Sequence, residues 1–447
     1  MSHSENVMGT EPVGRLVIRT GVPLMLSLFI NSLYNFVDSV FVSRVSEDAL
    51  AAVSLAAPAQ MLMSAMGLGI AIGLNAIISR ALGQNDRDEV RRTASAAIFL
   101  GVCAWLFSAV LCLLFIDPFF RWQAGGNAAL AAYGKSYLGI CMLGSLGMMG
   151  QWVFDRLVMA SGRASLFLFT LSAASVTNLI LDPIFIFGLA GMPAMGVTGA
   201  ALATVVGQFV GCFAGIAINR RYNREIPIVF TPRVSARSVL AILKVGVPTT
   251  LVQLTSSVVS MTVNTLLIAF SSTAVAVFGV CTKVQNLALV GVRGINNGLI
   301  PIVAYNYGAR KHERVTAAVR WALLYSAGIY LLFLAVMELF PQMVLQLFDA
   351  SPDLLHIGVP ALRILALAYL LSTAGLVAGA ALQGLGLGAH SMLVTAVRQI
   401  VLPLGLVLLA SLSGQLHMMW WAFVAAELAA MPFILWMWKR VCRRVLQ

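Results

Sequence analysis

Two carboxylates stand alone in apolar surroundings. Asp38 is the only charged residue between Gly21 and Val42, and Asp182 the only one between Ala164 and Leu189. At bilayer depth an aspartate costs about 2.5–3.5 kcal/mol on insertion scales, so a chain keeps it to bind an ion, relay a proton or hold a partner. Two carboxyls brought together at low dielectric repel unless a proton or a cation sits with them. Asn178 precedes Asp182 by four residues, which puts both on one helix face. Their oxygens suit a hard cation and a proton network equally; the alternative is a structural hydrogen bond or buried ion pair. Pro183 follows Asp182 and cannot donate to the carbonyl of Leu179, which gives either a free oxygen ligand or an ordinary packed kink. Pro23 is placed to hinge the helix that carries Asp38, again with a packed kink as the alternative. The corresponding segments of the second half carry no isolated carboxylate.

Other polar residues have two readings each. Asp155, next to Arg156, either lines the cytoplasmic mouth of a cavity or is an interfacial acid paired with Arg156 or Arg163. Glu427 is expected to be satisfied by Arg398. Lys283 and Arg293 either gate, repel a released cation, or bond to backbone carbonyls. Arg363, near a span end, is expected to snorkel. Asn31, Phe36, Gln60, Trp152, Asp155, Phe185 and Lys283 are the substrate-cavity candidates, the aromatic rings among them being able to stack on flat cations. The methionine groups at 61, 63 and 66 and at 142, 148 and 149 suit a promiscuous pocket or plain packing.

The elements that must position these residues are long apolar helices. Of 447 residues, 60% are hydrophobic and 10% charged, with mean hydropathy +0.91. Soluble domains run nearer 45–50% apolar and roughly 25% charged. Polar punctuation divides the chain into twelve helical segments, about 15–43, 50–80, 92–116, 131–158, 164–189, 195–219, 238–270, 274–303, 315–341, 355–382, 390–411 and 416–438. Each is long enough for a membrane span of about 20 residues and too long for a barrel strand. The net charge is +12. Its basic residues are scattered over short loops instead of forming one face, so no nucleic-acid partner is expected. Twenty-two Lys and Arg lie on one set of loops and ends, among them Arg80, Arg91, Arg220 and Arg310, against Arg44, Arg121 and Lys135 on the other. By the positive-inside rule both termini are expected in the cytoplasm. The polar start, Met1–Gly14, lacks the pattern of a cleaved signal peptide, leaving the first span as the targeting signal. The six cysteines form no CxxC pair and read as small buried hydrophobes.

The halves repeat. Shifted by 225 residues, Gly21-Val22-Pro23 falls on Gly246-Val247-Pro248, Gln60 on Gln285, Gly73 on Gly298, Gly83 on Gly308 and Val90 on Val315. Two parallel six-span lobes follow, the arrangement of secondary transporters that bind substrate between repeats. The expected division is 1–219, a linker at 220–237, and 238–447. No phosphate-binding loop and no hydrolase motif is present, so neither an ATPase nor another enzyme is expected, no cofactor is expected, and transport would draw on an ion gradient.

At certain residues a family comes into view. They are Leu33-Tyr34-Asn35-Phe36-Val37-Asp38; Ile78-Ser79-Arg80-Ala81-Leu82-Gly83; Asn178 to Gly188, reading NLILDPIFIFG; and Gly196 to Thr204, reading GVTGAALAT. Over essentially its whole length the chain resembles the MATE (multidrug and toxic compound extrusion) family, in its DinF/MepA-like bacterial branch. The resemblance implies a twelve-helix, two-lobe antiporter of the bacterial cytoplasmic membrane. It would be monomeric and would exchange amphipathic, often cationic, compounds for H⁺ or Na⁺. It also implies that Asp38, Asn178, Asp182 and Thr204 form an N-lobe proton or Na⁺ site, with Tyr34 in the same network. Members with further carboxylates in spans seven and ten are unlike this chain, which has Gln253, Ser256, Ser257 and Asn264 in the one and Arg363 in the other. Asp38 and Asp182 are thus the expected coupling site. The alternative reading is a lipid-linked oligosaccharide or polysaccharide flippase of the same superfamily, favoured weakly by Lys283 and Arg293. A membrane enzyme acting on lipids is disfavoured by the dispersed histidines.

Overall fold

The computed structural model describes residues 7–123, 127–223, 225–226, 234–348 and 351–445, and among them it is entirely helical. The helices are α1 (Val7–Thr10), α2 (Val13–Ser43), α3 (Glu47–Gly83), α4 (Arg87–Gln123), α5 (Ala128–Leu143), α6 (Leu146–Ala160), α7 (Ala164–Phe187) and α8 (Val197–Tyr222) in the first half. The second half holds α9 (Ala236–Ile268), α10 (Ser272–Gly308), α11 (His312–Leu339), α12 (Pro341–Gln346), α13 (Pro352–Gly384), α14 (Gly388–Ala396), α15 (Leu402–Ser411) and α16 (Leu416–Val445). A π turn, Val397–Val401, joins α14 to α15.

Among the described residues, eleven helices are long and apolar enough to cross a membrane, counting α14 to α15 as one, and a bent pair makes a twelfth. That pair corrects one expectation. The segment 131–158 is not one straight helix: α5 and α6 meet at 42°. The break falls at Gly144-Ser145, where the Ser145 hydroxyl donates to the Met142 carbonyl at 2.8 Å. A Cβ on Gly144 would lie 2.6 Å from Val205 of α8, so the chain passes this neighbour only with glycine. Large apolar side chains such as Leu113, Met261 and Leu332 point outward, the inverse of a soluble surface and the expected face toward lipid.

The internal repeat is written into the turns. Ser46 caps α3 by accepting from the Ala49 N–H at 3.0 Å, and Ser271 caps α10 from Ala274 at 3.0 Å, each pair 225 residues apart. At the other end of the same two helices, Asn85 and Arg310 both adopt φ 57°, a left-handed turn that ends each helix in the same way.

The chain forms two compact units, one comprising Leu26–Thr250 with Val7 and Met8, the other Gly9–Met25 with residues from Leu251 onward. The units therefore part within α2 and α9; residues 224 and 227–233 of the 220–237 linker lie outside the described residues. The two crossing points, 25/26 and 250/251, keep the 225-residue offset, and each follows a proline, Pro23 or Pro248, by two residues.

The packing inside each unit explains the division. In the first unit the start of α9 lies on glycines of α3. A Cβ on Gly73 would lie 2.3 Å from the Ile242 carbonyl oxygen and one on Gly69 2.7 Å from that of Gly246. Thr250 adds a hydrogen bond to the Ala65 carbonyl at 3.0 Å. In the second unit the start of α2 lies on α10. A Cβ on Gly294 would lie 2.7 Å from the Met25 backbone nitrogen, and one on Gly298 3.1 Å from Thr20. Gly69 and Gly73 are thus the counterparts of Gly294 and Gly298. Small residues spaced by four let helix backbones meet closely where no hydrophobic force separates protein from lipid.

The first unit's core gathers Leu74, Ile78, Phe120, Met149, Leu157 and Ile186. The second's gathers Val277, Cys281, Leu365, Met419 and Trp420.

Candidate functional site

Helix α7 carries a buried polar stripe. Thr170, Ala174, Asn178, Asp182 and Ile186 recur every four residues, with Ser175 beside Ala174, so they share one face. That face meets α8, whose glycines admit it: a Cβ on Gly207 would lie 2.8 Å from the Ala174 carbonyl and 3.2 Å from Asn178 Cβ, and one on Gly199 2.5 Å from the Phe185 backbone. Pro183 sits within α7, and Gly188 closes the helix at φ 75°.

Asn178 is the centre of the site. With its amide oriented by its surroundings, the NH₂ donates to Asp182 at 3.1 Å and the side-chain oxygen accepts from the Thr204 backbone N–H at 3.1 Å. Asp182 has no solvent exposure and Asn178 only 3%. Asp38, on α2, lies close enough to Asp182 for a carboxyl–carboxyl hydrogen bond, and among the described residues no lysine or arginine pairs with either. One Asp38 oxygen is buried with no hydrogen-bond partner. Two carboxyls so placed, without a counter-charge, are relieved by a proton or a small cation between them.

A second layer comes from α3 and α5. Gln60 donates from Nε2 to the Tyr137 hydroxyl at 3.3 Å. Cys141, one turn beyond Tyr137, lies beside both, and Asp38 is within electrostatic reach of Tyr137 and Cys141. Tyr34 is within the same reach of Tyr137. Tyr137 and Cys141 were not anticipated from the sequence. A tyrosine and a cysteine one turn apart in an apolar helix look like core residues; only α3 and α2 packed against them give them polar company.

The first unit therefore brings together Asp38, Asp182, Asn178, Thr204, Tyr34 and Gln60. The remaining candidates lie elsewhere. Asp155 on α6 is buried, and accepts from the Thr170 hydroxyl at 2.6 Å, three helical turns along α7 from Asp182. Arg163 pairs with Glu225 at 3.8 Å and not with Asp155. Trp152 is half-buried against Gly67, with the Arg156 guanidinium 5.7 Å from its ring centre. Phe185 and Asn31 are half-buried, and the Phe36 side chain lies outside the described residues. Lys283 is exposed on α10 of the second unit, and Pro23 also belongs to that unit. Arg398 donates to Glu427 at 2.9 Å, as expected from the sequence. Arg363, eleven residues into α13 and not at its end, pairs with Glu338 at the end of α11 at 3.3 Å.

The MatE family model matches residues 23–184 and again 248–410, so it covers most of the chain and does so twice, once per repeat. The chain belongs to the MatE family. A multidrug export protein MepA of Staphylococcus haemolyticus is 24% identical over 418 residues, 93% of this chain and 91% of that protein. A protein of Shewanella oneidensis named as an FAD transporter is 22% identical over 346 residues, 77% of this chain and 76% of its own length. Among solved structures, the outward-facing form of a multidrug resistance MATE family transporter has a TM-score of 0.90 at 25% identity, covering 99% of each chain. A MATE protein crystallised in a bent conformation gives 0.90 at 26% identity, covering 98% of this chain and 97% of its own. This MatE-family chain is accordingly a multi-pass membrane transporter and not an enzyme.

Proposed function

We propose that this chain is a multidrug efflux antiporter. It exports amphipathic, often cationic, compounds by alternating access in exchange for H⁺ or Na⁺. The observation that carries the reading is the Asp38–Asp182 pair: two carboxyls side by side, with no positive partner among the described residues, tied through Asn178 to Thr204. A site whose charge is balanced only by what it binds changes its preferred geometry when that occupant leaves, which is what coupling requires. Oxygens of Asp38, Asp182, Asn178 and Thr204 suit Na⁺, and the same groups hold a proton. Drug and coupling ion then favour opposed states of the transporter. Pro23 and Pro183 are the hinge positions in this reading, and the chain works as a monomer in the bacterial inner membrane with both termini cytoplasmic. The export activity of the staphylococcal relative supports the substrate class.

The test is efflux of a fluorescent organic cation from proteoliposomes under an imposed ΔpH or ΔNa⁺, with Asp38→Asn and Asp182→Asn beside the native chain. Efflux driven by at least one gradient and lost in both variants is expected. Native-level efflux in both variants removes the site assignment, and efflux under neither gradient removes antiport.

A further inference from the structure

The last long helix ends in cations that its surroundings do not balance. No Asp or Glu occurs between Asp353 and Glu427, and none follows Glu427. The helices packed on α16, namely α13, α14 and α15, come from that stretch, with Asp353 alone at the far end of α13. The closing turns of α16 nevertheless carry Lys439, Arg440, Arg443 and Arg444, all exposed. None of the four has an ion pair among the described residues.

Their placement is specific. Ile434, Met437 and Val441 are buried and mark the packed side of α16. Trp436, Lys439, Arg440 and Arg443 follow one another at offsets of three and four, so they share the outward side, with Arg444 at its border. Leu428 and Pro432 extend the same side toward the middle of the helix, and both are exposed. The Trp436 ring is 51% exposed and lies between Phe433, 6.0 Å away, and the Arg440 guanidinium, 5.2 Å from its centre. One outward stripe thus passes from aliphatic to aromatic to cationic. Its depth follows from the register of the antiparallel neighbour. Arg398 bonds to Glu427, which brings Gly388, ten residues earlier and first in α14, about level with Met437, ten residues later. The cations stand just past that end, where apolar side chains give way to headgroups and tryptophan is favoured. A helix C-terminus favours cations, and topology collects them on one membrane side. Neither effect requires a single lipid-facing stripe continuous with a tryptophan.

We propose that this stripe binds the headgroup of an anionic phospholipid. Arg440 and Arg443 grip the phosphate, which a planar guanidinium matches in bidentate fashion. Lys439 adds charge, and Trp436 seats the glycerol and upper acyl chain. Basic clusters at the end of a membrane helix recognise anionic lipid in this way. The site rests on the membrane-spanning fold and is independent of the coupling ion and of the exported compound. In the orientation proposed above it faces the cytoplasmic leaflet.

The experiment titrates acyl-labelled fluorescent phosphatidylglycerol into the purified full chain in neutral detergent and reads anisotropy, with identically labelled phosphatidylcholine as the zwitterionic control. Phosphatidylglycerol is expected to bind more tightly than phosphatidylcholine. The double variant Arg440→Gln/Arg443→Gln is expected to weaken it about tenfold or more. Trp436→Leu, which keeps every charge, is expected to weaken it less. Arg220→Gln/Arg221→Gln removes two exposed cations at the end of α8 and is expected to leave the affinity unchanged. An unchanged unfolding temperature without lipid establishes that the Arg440/Arg443 variant folds; if it melts lower, Arg440→Gln alone takes its place. Equal phosphatidylglycerol affinity in the native chain and the Arg440/Arg443 variant overturns the proposal, as does native affinity no better than for phosphatidylcholine. An equal loss in Arg220→Gln/Arg221→Gln assigns the binding to overall charge and also overturns it. Glycerol phosphate is expected not to compete; competition at the lipid's own concentration would assign the stripe to free phosphate and overturn the lipid site.

Discussion

Thr170 donates its hydroxyl to Asp155 at 2.6 Å across the contact between α7 and α6. The carboxyl is buried, and Gly215 of α8 leaves room beside it, its Cβ position being 3.8 Å from Asp155 Oδ1. Thr170→Val keeps the shape and removes the donor. A buried acceptor left unmatched costs about 1–3 kcal/mol, so the unfolding temperature in detergent should fall, and Thr170→Ser should restore most of it. An unchanged melting curve for Thr170→Val would show that Asp155 finds another partner at no cost.

Asn178 joins Asp182 to Thr204, so its removal strikes the network without removing a charge. Asn178→Ala should reduce gradient-driven efflux at least about tenfold, equivalent to about 1.4 kcal/mol, while the chain still inserts and melts cooperatively. Asn178→Ser, which keeps one small polar group, should fall between. Proteoliposome efflux rates at matched protein content read this directly, and native rates for Asn178→Ala would sink the network's role.

Tyr137 accepts a hydrogen bond from the Gln60 amide at 3.3 Å. Tyr137→Phe should therefore have a graded effect, slowing efflux less than Asp38→Asn does. The comparison is made in one assay with both variants. If Tyr137→Phe matches the loss seen for Asp38→Asn, the tyrosine belongs to the coupling group itself.

Gly73 brings α3 against the backbone of α9, with a Cβ position 2.3 Å from the Ile242 carbonyl oxygen. Gly73→Ala forces the two helices apart and should destabilise by about 1–3 kcal/mol, the usual cost of overpacking. Gly328, which has open space around its Cβ position, is the control: Gly328→Ala should be neutral or slightly stabilising. The two melting temperatures, measured side by side, should diverge.

Arg398 and Glu427 form an ion pair with side chains 4% and 13% exposed. Arg398→Gln leaves a buried carboxylate without its charge partner and should cost about 3–5 kcal/mol. The double variant Arg398→Leu/Glu427→Leu removes both charges and should recover most of that loss. A double-mutant cycle from thermal unfolding measures the coupling, and additive losses would mean that the two side chains are held independently.

Much of this was legible in the chain itself. Apolar segments of bilayer length require helices, because backbone groups in lipid find partners only within the helix. The 225-residue offset required two similar halves, and Ser46 with Ser271 and Asn85 with Arg310 repeat that offset in cap and turn geometry. Asn178 and Asp182 share a face by helical spacing alone, and a carboxylate in an apolar segment declares itself by its cost. The pairing of Arg398 with Glu427 followed from two opposite charges in adjacent spans.

What only the tertiary structure decided is which segments touch. The units exchange the first parts of α2 and α9, since the glycines on α10 and α3 that receive them lie hundreds of residues away in sequence or in the other repeat. Tyr137 and Cys141 join the acidic site because α5 packs on α3, where Gln60 donates to Tyr137. Asp155 is drawn inward to Thr170, with Arg156 buried within electrostatic reach of it. Local spacing fixes the direction of a side chain on its own helix; whether that direction meets a carboxylate, a glycine or lipid depends on the packing of every other helix around it.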